Sequence, residues 1–148
     1  MQMKQSLLRY KYYGSREYGW YYAEEICRYV GTQIKRWNPD ILVPVPMTCR
    51  KKRIRGFNQA EDLAEKIGEL LQIPVVAGLA VKKRETKSQK KLNAVERMRN
   101  LKDAFQITES VRGLRLLIVD DVYTTGSTIE TLAECLKESG AGEIYFVT

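Results

Sequence analysis

Histidine is absent from this sequence of 148 residues. Its imidazole is the usual base of a catalytic triad, a common zinc ligand and the side chain that most often transfers protons near neutral pH. Triads, histidine zinc sites and histidine acid–base catalysis are therefore excluded for this chain. Any chemistry performed by its side chains must instead use carboxylates, hydroxyls or cations.

Cysteine is scarce, with three residues that lie far apart in the sequence. None belongs to a CxxC pair, so the spacing predicts neither a disulfide framework nor a cysteine zinc site, and the odd count fits reduced thiols. Cys27 and Cys135 fall within helical patterns, where we expect them to be buried or half-buried. Cys49 lies among cations but has no partner base, so we do not expect it to be a nucleophile.

Long apolar runs are also missing, since none approaches the roughly 20 residues of a membrane-spanning helix. Residues 1–13 are polar and basic, unlike a signal peptide. We therefore expect a cytoplasmic protein without membrane insertion. The length fits one domain, and a composition of 44% hydrophobic and 29% charged residues is ordinary for a globular protein.

Positive charge is abundant and concentrated in two segments. The net charge is +7, from 25 basic and 18 acidic residues. Between Lys82 and Lys102 there are nine basic and two acidic residues, an excess that equals the whole net charge. A second run, residues 50–55, has five cations among six residues. Such concentration predicts polyanionic partners, either pyrophosphate or nucleic acid.

Apolar periodicity predicts strands that alternate with helices. The predicted strands are 41–45, 75–81, 104–108, 116–119 and 143–147. The predicted helices are 18–34, 57–72 and 129–139. Asn58 followed by Glu61 resembles a capping box at the start of the second helix. The alternation predicts an α/β fold with a parallel, Rossmann-like sheet flanked by helices and with ligands at the carboxyl ends of its strands.

The most informative stretch is residues 116–128, LLIVDDVYTTGST. Its apolar strand ends at Asp120 and Asp121, and small hydroxyl residues then lead into a helix. Such a turn is an anion site, because backbone N–H groups and the helix dipole favour negative charge and Gly126 permits close approach. It is not a Walker A loop, since GxxxxGK(S/T) does not occur.

Two carboxylates directly before a phosphate cradle suit a ribose 5-phosphate. Carboxylates accept hydrogen bonds from vicinal hydroxyls and hold Mg²⁺ directly or through water. The alternative is that Asp120 and Asp121 only end a strand and cap the following turn.

This stretch resembles the phosphoribosyl pyrophosphate (PRPP) motif of type I phosphoribosyltransferases. The resemblance implies the type I phosphoribosyltransferase fold and the transfer of ribose 5-phosphate from PRPP to a nitrogen acceptor, with Mg²⁺. It makes Asp120 and Asp121 the catalytic residues that hold the ribose hydroxyls and the metal. It assigns the 5-phosphate to a loop composed of Thr124, Thr125, Gly126, Ser127 and Thr128.

Two basic segments fit the same interpretation. After the strand that ends in VPVP, a basic loop and a helix N-terminus could bind pyrophosphate, or could form a solvated basic face. The candidate pyrophosphate residues are Arg50, Lys51, Arg53 and Arg55. Residues 83–101 resemble a mobile basic loop that covers the site and neutralises leaving pyrophosphate, or an exposed charged surface. The candidate loop residues are Arg84, Thr86, Gln89, Lys90 and Arg97.

Several motifs together resemble the ComF/GntX-type (competence protein F) family of phosphoribosyltransferase-like proteins: KYYGSREYGWYYAEEI, VPVP, RGFNQAEDLA, RETKSQ and DDVYTTGST. Family members often begin with a cysteine-rich zinc ribbon, which these residues lack, so we expect no zinc here. The family is linked to competence and DNA uptake, which implies single-stranded DNA and a competence helicase as partners. Two functions stay open: a phosphoribosyltransferase, and a non-catalytic single-stranded-DNA-binding competence factor that uses the PRPP fold as a scaffold or sensor.

The aromatic segment 1–38 precedes a predicted phosphoribosyltransferase core at 39–148. Its rings are Tyr10, Tyr12, Tyr13, Tyr18, Trp20, Tyr21, Tyr22 and Tyr29. Such rings could stack on bases, either as a hood over an acceptor base or on single-stranded DNA. Core packing or a homodimer face is the interpretation that we favour.

Overall fold

The computed structural model describes residues 17–83, 93, 95–96, 104–121 and 127–148. In chain order these residues form α1 (Glu17–Trp37), β1 (Ile41–Pro44), α2 (Cys49–Arg55), α3 (Gln59–Leu71), β2 (Ala80–Lys82), β3 (Phe105–Ile107), β4 (Leu116–Val119), α4 (Ser127–Glu138) and β5 (Ile144–Val147). None of the helices in these ranges has the length and apolar character that a bilayer crossing requires.

Strands β1, β4 and β5 form a parallel sheet in the order β1-β4-β5. In its register Leu42 lies opposite Leu117, which in turn lies opposite Tyr145. A short extension continues the sheet beyond β1, where the Leu42 N–H donates to the Pro74 carbonyl at 2.8 Å and the Val76 N–H donates to the Leu42 carbonyl at 3.1 Å. The predicted α/β fold with a parallel sheet and flanking helices is confirmed.

Both faces of the central strand β4 are buried, as is usual for parallel strands with helices on either side, whereas Phe146 of the outer strand β5 is 49% exposed. Successive strand side chains point to opposite faces, so Ile118 and Leu117 enter different apolar clusters. Ile118 packs in a cluster with Leu132 of α4, and Leu117 packs in a cluster with Ile67 of α3. All four side chains are fully buried. The central strand β4 therefore joins two cores, which explains its uninterrupted apolar sequence.

Helix α1 packs against α3 on the same side of the sheet. Its buried residues Tyr22, Ala23 and Ile34 belong to the same cluster as Ile67. At its end, Trp37 stacks on Tyr145 of β5, with ring centroids 4.5 Å apart and planes 7° apart. Of the remaining described rings of α1, Tyr18 is half-buried against this cluster, and three are exposed: Trp20, Tyr21 and Tyr29. The aromatic residues before position 17 lie outside the described residues, and the division at residue 38 stays a prediction.

A buried ion pair lies between α1 and α3. The Lys66 ammonium donates to Asp62 Oδ1 at 2.5 Å, and both side chains are about nine-tenths buried. The same ammonium lies 5.5 Å from the centroid of the Trp20 ring, a cation–π distance. Gly19 completes the contact, because a Cβ there would lie 2.6 Å from Asp62 Oδ2. A residue without a side chain is therefore needed where α1 passes the pair.

The weaker predicted strands at 75–81 and 104–108 form an antiparallel pair, β2 with β3. Ala80 lies opposite Ile107, and the Thr108 N–H donates to the Leu79 carbonyl at 2.9 Å. The pair packs on the α4 side of the parallel sheet, where Leu79 and Phe105 share a cluster with residues of α4. At the end of the pair, the Lys83 N–H donates to the Ala104 carbonyl at 2.8 Å. The residues that precede and follow segment 84–103 are therefore adjacent.

Candidate functional site

The carboxyl ends of the three parallel strands lie side by side. The Val45 N–H, just after β1, donates to the Val119 carbonyl at 2.8 Å, and the Asp120 N–H donates to the Val147 carbonyl at 3.1 Å. Asp120 therefore leaves the sheet between the ends of both neighbouring strands. In open α/β sheets, ligands bind at this edge.

Asp120 and Asp121 are both partly exposed at this edge. The Asp121 N–H donates to Asp120 Oδ1 at 2.9 Å, which orients the first carboxylate at the start of the turn. Carboxylate oxygens are suitable acceptors for ligand hydroxyls and suitable ligands for Mg²⁺, which commonly uses one or two protein carboxylates and completes its shell with phosphates and water. Among the residues that the structure describes, no group of three or more acidic or thiol side chains could hold a metal by itself.

The predicted 5-phosphate loop leads into α4, which begins at Ser127. Thr128 is half-buried, while Ile129 and Thr131 are buried and anchor the first turn to the core. The first N–H groups of a helix have no intrahelical acceptor, and the dipole favours an anion beside them. The rest of this predicted loop, Thr124, Thr125 and Gly126, lies outside the described residues.

Residues 49–55 are a helix, and the prediction of a basic loop there was wrong. Thr48 is the N-cap, since its Oγ1 accepts from the Lys51 N–H at 3.4 Å. Gly56 ends the helix in the left-handed conformation with φ 86°, and its N–H donates to the Lys52 carbonyl at 2.8 Å. Sequence periodicity could not identify this helix, because none of its residues is buried and no apolar stripe marks a packed face.

All four predicted pyrophosphate residues lie on α2. Arg50, Lys51 and Arg53 are exposed, whereas Arg55 is half-buried and its Nη1 donates to Gln59 Oε1 at 3.5 Å. The fifth cation of the helix, Lys52, lies 3.7 Å from a carboxylate oxygen of α3. The helix contains no acidic residue, so it places a compact positive charge after the end of β1.

Asn58 connects α3 to the end of β1. Its Oδ1 accepts from the Ala60 N–H at 3.0 Å and from the Glu61 N–H at 3.5 Å, which is the N-cap half of the predicted capping box. Its Nδ2 donates to the Val45 carbonyl at 3.1 Å. The sequence analysis missed this second contact, because a bond between side chain and backbone across thirteen positions leaves no local pattern.

The five predicted loop residues, Arg84, Thr86, Gln89, Lys90 and Arg97, all lie outside the described residues. Their assignment to a loop over the site stays a prediction. The described residues on either side are Lys83 and Ala104, which are hydrogen-bonded to each other at the end of the β2–β3 pair.

Comparison with families of known proteins matches residues 23–148 to the phosphoribosyl transferase domain. The chain belongs to this family. The match begins within α1 and includes all the later helices and strands, so the phosphoribosyl transferase domain includes the candidate site as well as the sheet.

Curated relatives place this phosphoribosyl transferase domain in the ComF-type group, as the sequence motifs predicted. It is 40% identical over 106 residues to DNA utilization protein YhgH of Salmonella typhi, covering 72% of this chain and 47% of that protein. It is 35% identical over 109 residues to competence protein F of Haemophilus influenzae, covering 72% and 48%. It is 30% identical over 143 residues to competence protein ComFC of Bacillus subtilis, covering 93% and 55%. The chain thus spans about half the length of these relatives.

Solved structures agree on the fold of the domain. A purine phosphoribosyltransferase from Pyrococcus horikoshii matches with a TM-score of 0.54 at 19% identity, over 86% of this chain and 71% of that one. A phosphoribosylpyrophosphate synthetase from Mycobacterium smegmatis matches with a TM-score of 0.52 at 18% identity, over 84% and 31%. The predicted type I phosphoribosyltransferase fold is confirmed.

Proposed function

We propose that this domain binds PRPP with Mg²⁺ at the carboxyl edge of its sheet and transfers ribose 5-phosphate to a nitrogen acceptor. The observation that carries the proposal is the position of Asp120 and Asp121. They follow the middle strand of the sheet, between the ends of β1 and β5, and precede the N-terminus of α4. Acceptors for ribose hydroxyls therefore come shortly before a helix N-terminus, whose N–H groups can donate to a phosphate.

In this proposal each part of the edge binds a different part of PRPP. Asp120 and Asp121 accept hydrogen bonds from the ribose hydroxyls, and residues 124–128, which lead into α4, bind the 5-phosphate. The cations of α2, beyond the end of the neighbouring strand β1, attract the pyrophosphate. Family membership supports the assignment.

The chemistry proposed is largely electrostatic. Pyrophosphate leaves C1 of the ribose as positive charge develops on the ring, and cationic side chains stabilise the leaving group. Mg²⁺, held by Asp120 and Asp121 directly or through water, would supply further charge compensation when it is bound. An acceptor nitrogen that is already nucleophilic requires no general base, which is consistent with a chain that lacks histidine.

Calorimetric titration of PRPP in the presence of Mg²⁺ tests the proposal. We expect the wild type to bind PRPP, and the double variant Asp120→Asn, Asp121→Asn to bind at least about tenfold more weakly, because an amide oxygen is a weaker acceptor and a weaker metal ligand. The matched control is Asp40→Asn, a carboxylate at the opposite end of the sheet that accepts from the Arg115 N–H at 2.7 Å. Equal affinity in the wild type and the double variant would contradict the proposed site.

A second candidate function is single-stranded DNA binding by the cationic surface of α2, with the PRPP fold as a scaffold or sensor. The favouring observation is that α2 carries five cations and no buried residue. Because seven helical residues make about two turns, their side chains point in all directions and cannot all contact one pyrophosphate. The names of the relatives, DNA utilization protein and competence protein, agree with a nucleic-acid role. A competence helicase as a partner, and the formation of a homodimer, stay predictions.

The salt dependence of DNA binding tests the second function. For the double variant Arg50→Glu, Arg53→Glu we expect weaker binding of an oligothymidylate and a salt slope that is shallower by about 1.4, since each lost phosphate contact on a single strand contributes about 0.7. The double variant Asp120→Asn, Asp121→Asn is the matched control, and we expect it to bind DNA normally. An unchanged slope after charge reversal would rule out α2 as the DNA-binding surface.

A further inference from the structure

We propose that Asn58 is a positioning residue that fixes the pyrophosphate side of the site. The proposal rests on the PRPP-binding function above and assigns a role to a residue that does not itself contact the ligand. Asn58 is 7% exposed and lies at the junction between α2 and α3.

Both ends of the Asn58 amide are used. The oxygen faces two backbone N–H groups at the start of α3, and the nitrogen faces the Val45 carbonyl at the end of β1. The opposite orientation would place the amide N–H groups against backbone donors and the oxygen against an acceptor, so the amide has one favourable orientation. Capping alone requires only the oxygen. The contact with Val45 is an additional function of the nitrogen.

This second contact closes a loop of the chain at its base. The loop runs from Val45 to Asn58 and contains α2, which has no buried residue of its own. No core contact holds α2, and the contacts of Lys52 with Glu61 and of Arg55 with Gln59 tie it to α3 rather than to the sheet. Its position relative to the sheet therefore depends on how the two ends of the loop are joined. The Asn58 side chain joins those ends directly, and it therefore contributes to where the cations of α2 lie relative to the sheet.

The same contact reaches the carboxylates through one more bond. The Val45 carbonyl accepts from Asn58, while the Val45 N–H donates to the Val119 carbonyl at 2.8 Å. Asp120 follows Val119 directly. Without the Asn58 donor, the Val45 carbonyl would lose its hydrogen bond. Val45 would then be held less firmly beside α2 and beside the end of β4, where Asp120 lies.

Asn58→Ser separates positioning from capping. Serine is a good N-cap residue, so α3 keeps its capping oxygen while Val45 loses its donor. The matched control is Asp40→Ala, which removes a side-chain acceptor from the Arg115 N–H at the opposite edge of the sheet. Both variants lose one hydrogen bond, but the bond of Asn58 is buried and that of Asp40 is exposed, so Asn58→Ser should lose more stability. Only Asn58→Ser is expected to weaken the binding of PRPP and pyrophosphate.

Two measurements test the inference: binding of PRPP and of pyrophosphate alone with Mg²⁺, and amide exchange at Val45. In Asn58→Ser we expect both affinities to fall about tenfold, as expected for one poorly positioned charged contact. The Val45 amide should exchange faster than in the wild type. In Asp40→Ala we expect both quantities to match the wild type.

Pyrophosphate binding to Asn58→Ser within about twofold of the wild type would overturn the inference, as would an equal loss in Asp40→Ala. Failure of the wild type to bind PRPP would instead overturn the proposed function. In that case amide exchange decides the positioning role without a ligand: faster exchange at Val45 only in Asn58→Ser supports it, and equal exchange in the two variants refutes it.

Discussion

Gly68 shows how a single residue sets the distance between a helix and the sheet. A Cβ at this position of α3 would lie 2.6 Å from Val75 Cγ2 and 2.7 Å from the Ile73 carbonyl oxygen. Val75 is bridged to Leu42 of β1, so the close approach joins α3 to the edge of the parallel sheet. Helix α3 can therefore pass directly over residues 73–75.

We expect Gly68→Ala to lower the free energy of unfolding by about 1–3 kcal/mol, because the methyl group must displace backbone as well as a side chain. The better helix propensity of alanine, about 1 kcal/mol, offsets part of this loss. Gly78→Ala is the matched control, since a Cβ there meets nothing within 4 Å. Urea unfolding of the two variants checks the prediction, and equal stabilities would contradict it.

Cys135 makes a pH-dependent contribution to stability. Burial, followed by the nearby Glu134 and Glu138 carboxylates, raises the pKa of its thiol from 9.0 to about 11. A folded-state pKa above the unfolded value means that ionisation favours the unfolded chain. The stabilising contribution is complete below pH 9 and is lost as the pH rises through about 11.

We therefore expect the free energy of unfolding of the wild type to fall between pH 9 and pH 11 more steeply than that of Cys135→Val, which cannot ionise. Comparison of the two proteins by urea unfolding across this range isolates the thiol from the other groups that titrate there. Parallel pH profiles would show that Cys135 ionises equally in both states.

At the scale of elements, α2 differs from every other described helix in having no buried residue. Helices of this length are marginal in water, because nucleation is costly and two turns contain few hydrogen bonds. Helix α2 is held by the cap at Thr48, the left-handed turn at Gly56, the fixed ends of its loop and the contacts of Lys52 and Arg55 with α3. We expect such a helix to open locally without unfolding the domain.

Thr48→Ala tests this independence. Loss of an N-cap costs a helix about 0.5–2 kcal/mol. We expect amide exchange to accelerate about tenfold at Lys52, whose N–H donates to the Thr48 carbonyl at 3.0 Å, while the free energy of global unfolding changes by less than about 0.5 kcal/mol. Asn58→Ala is the contrasting variant: it removes the cap of α3, a core helix, and should lower global stability. A comparable global loss in Thr48→Ala would show that α2 is part of the cooperative unit.

At the scale of the whole molecule, the sequence predicted the layers well because burial leaves a periodic pattern. The runs that became β1 and β4 are apolar throughout, and the stripe of α3 was visible because Leu63 and Ile67 face the core. Helix α2 was not predicted because none of its residues is buried, so its sequence has no apolar stripe. The antiparallel pairing of β2 with β3 also could not be read from three-residue strands.

The candidate site was predictable only where its residues are neighbours in the chain. Asp120 and Asp121 directly follow a strand, so their position at its carboxyl end required no knowledge of the fold. The contact of Asn58 with Val45, and that of Val45 with Val119, join distant parts of the chain through single bonds. Such contacts form only in the folded sheet, and no periodic pattern in the sequence indicates them.

Because β4 contributes side chains to both apolar clusters, we expect the domain to unfold in one cooperative transition. Ile67→Ala removes a fully buried side chain from the α3 cluster, and Leu132→Ala does so from the α4 cluster. Each substitution should cost about 2–5 kcal/mol and shift the whole urea transition, whether it is followed by tryptophan fluorescence or by circular dichroism. Leu70→Ala, on the exposed side of α3, is the matched control and should have a small effect. Two separate transitions in Leu132→Ala would show that the two faces of the sheet unfold independently, which a shared central strand does not allow.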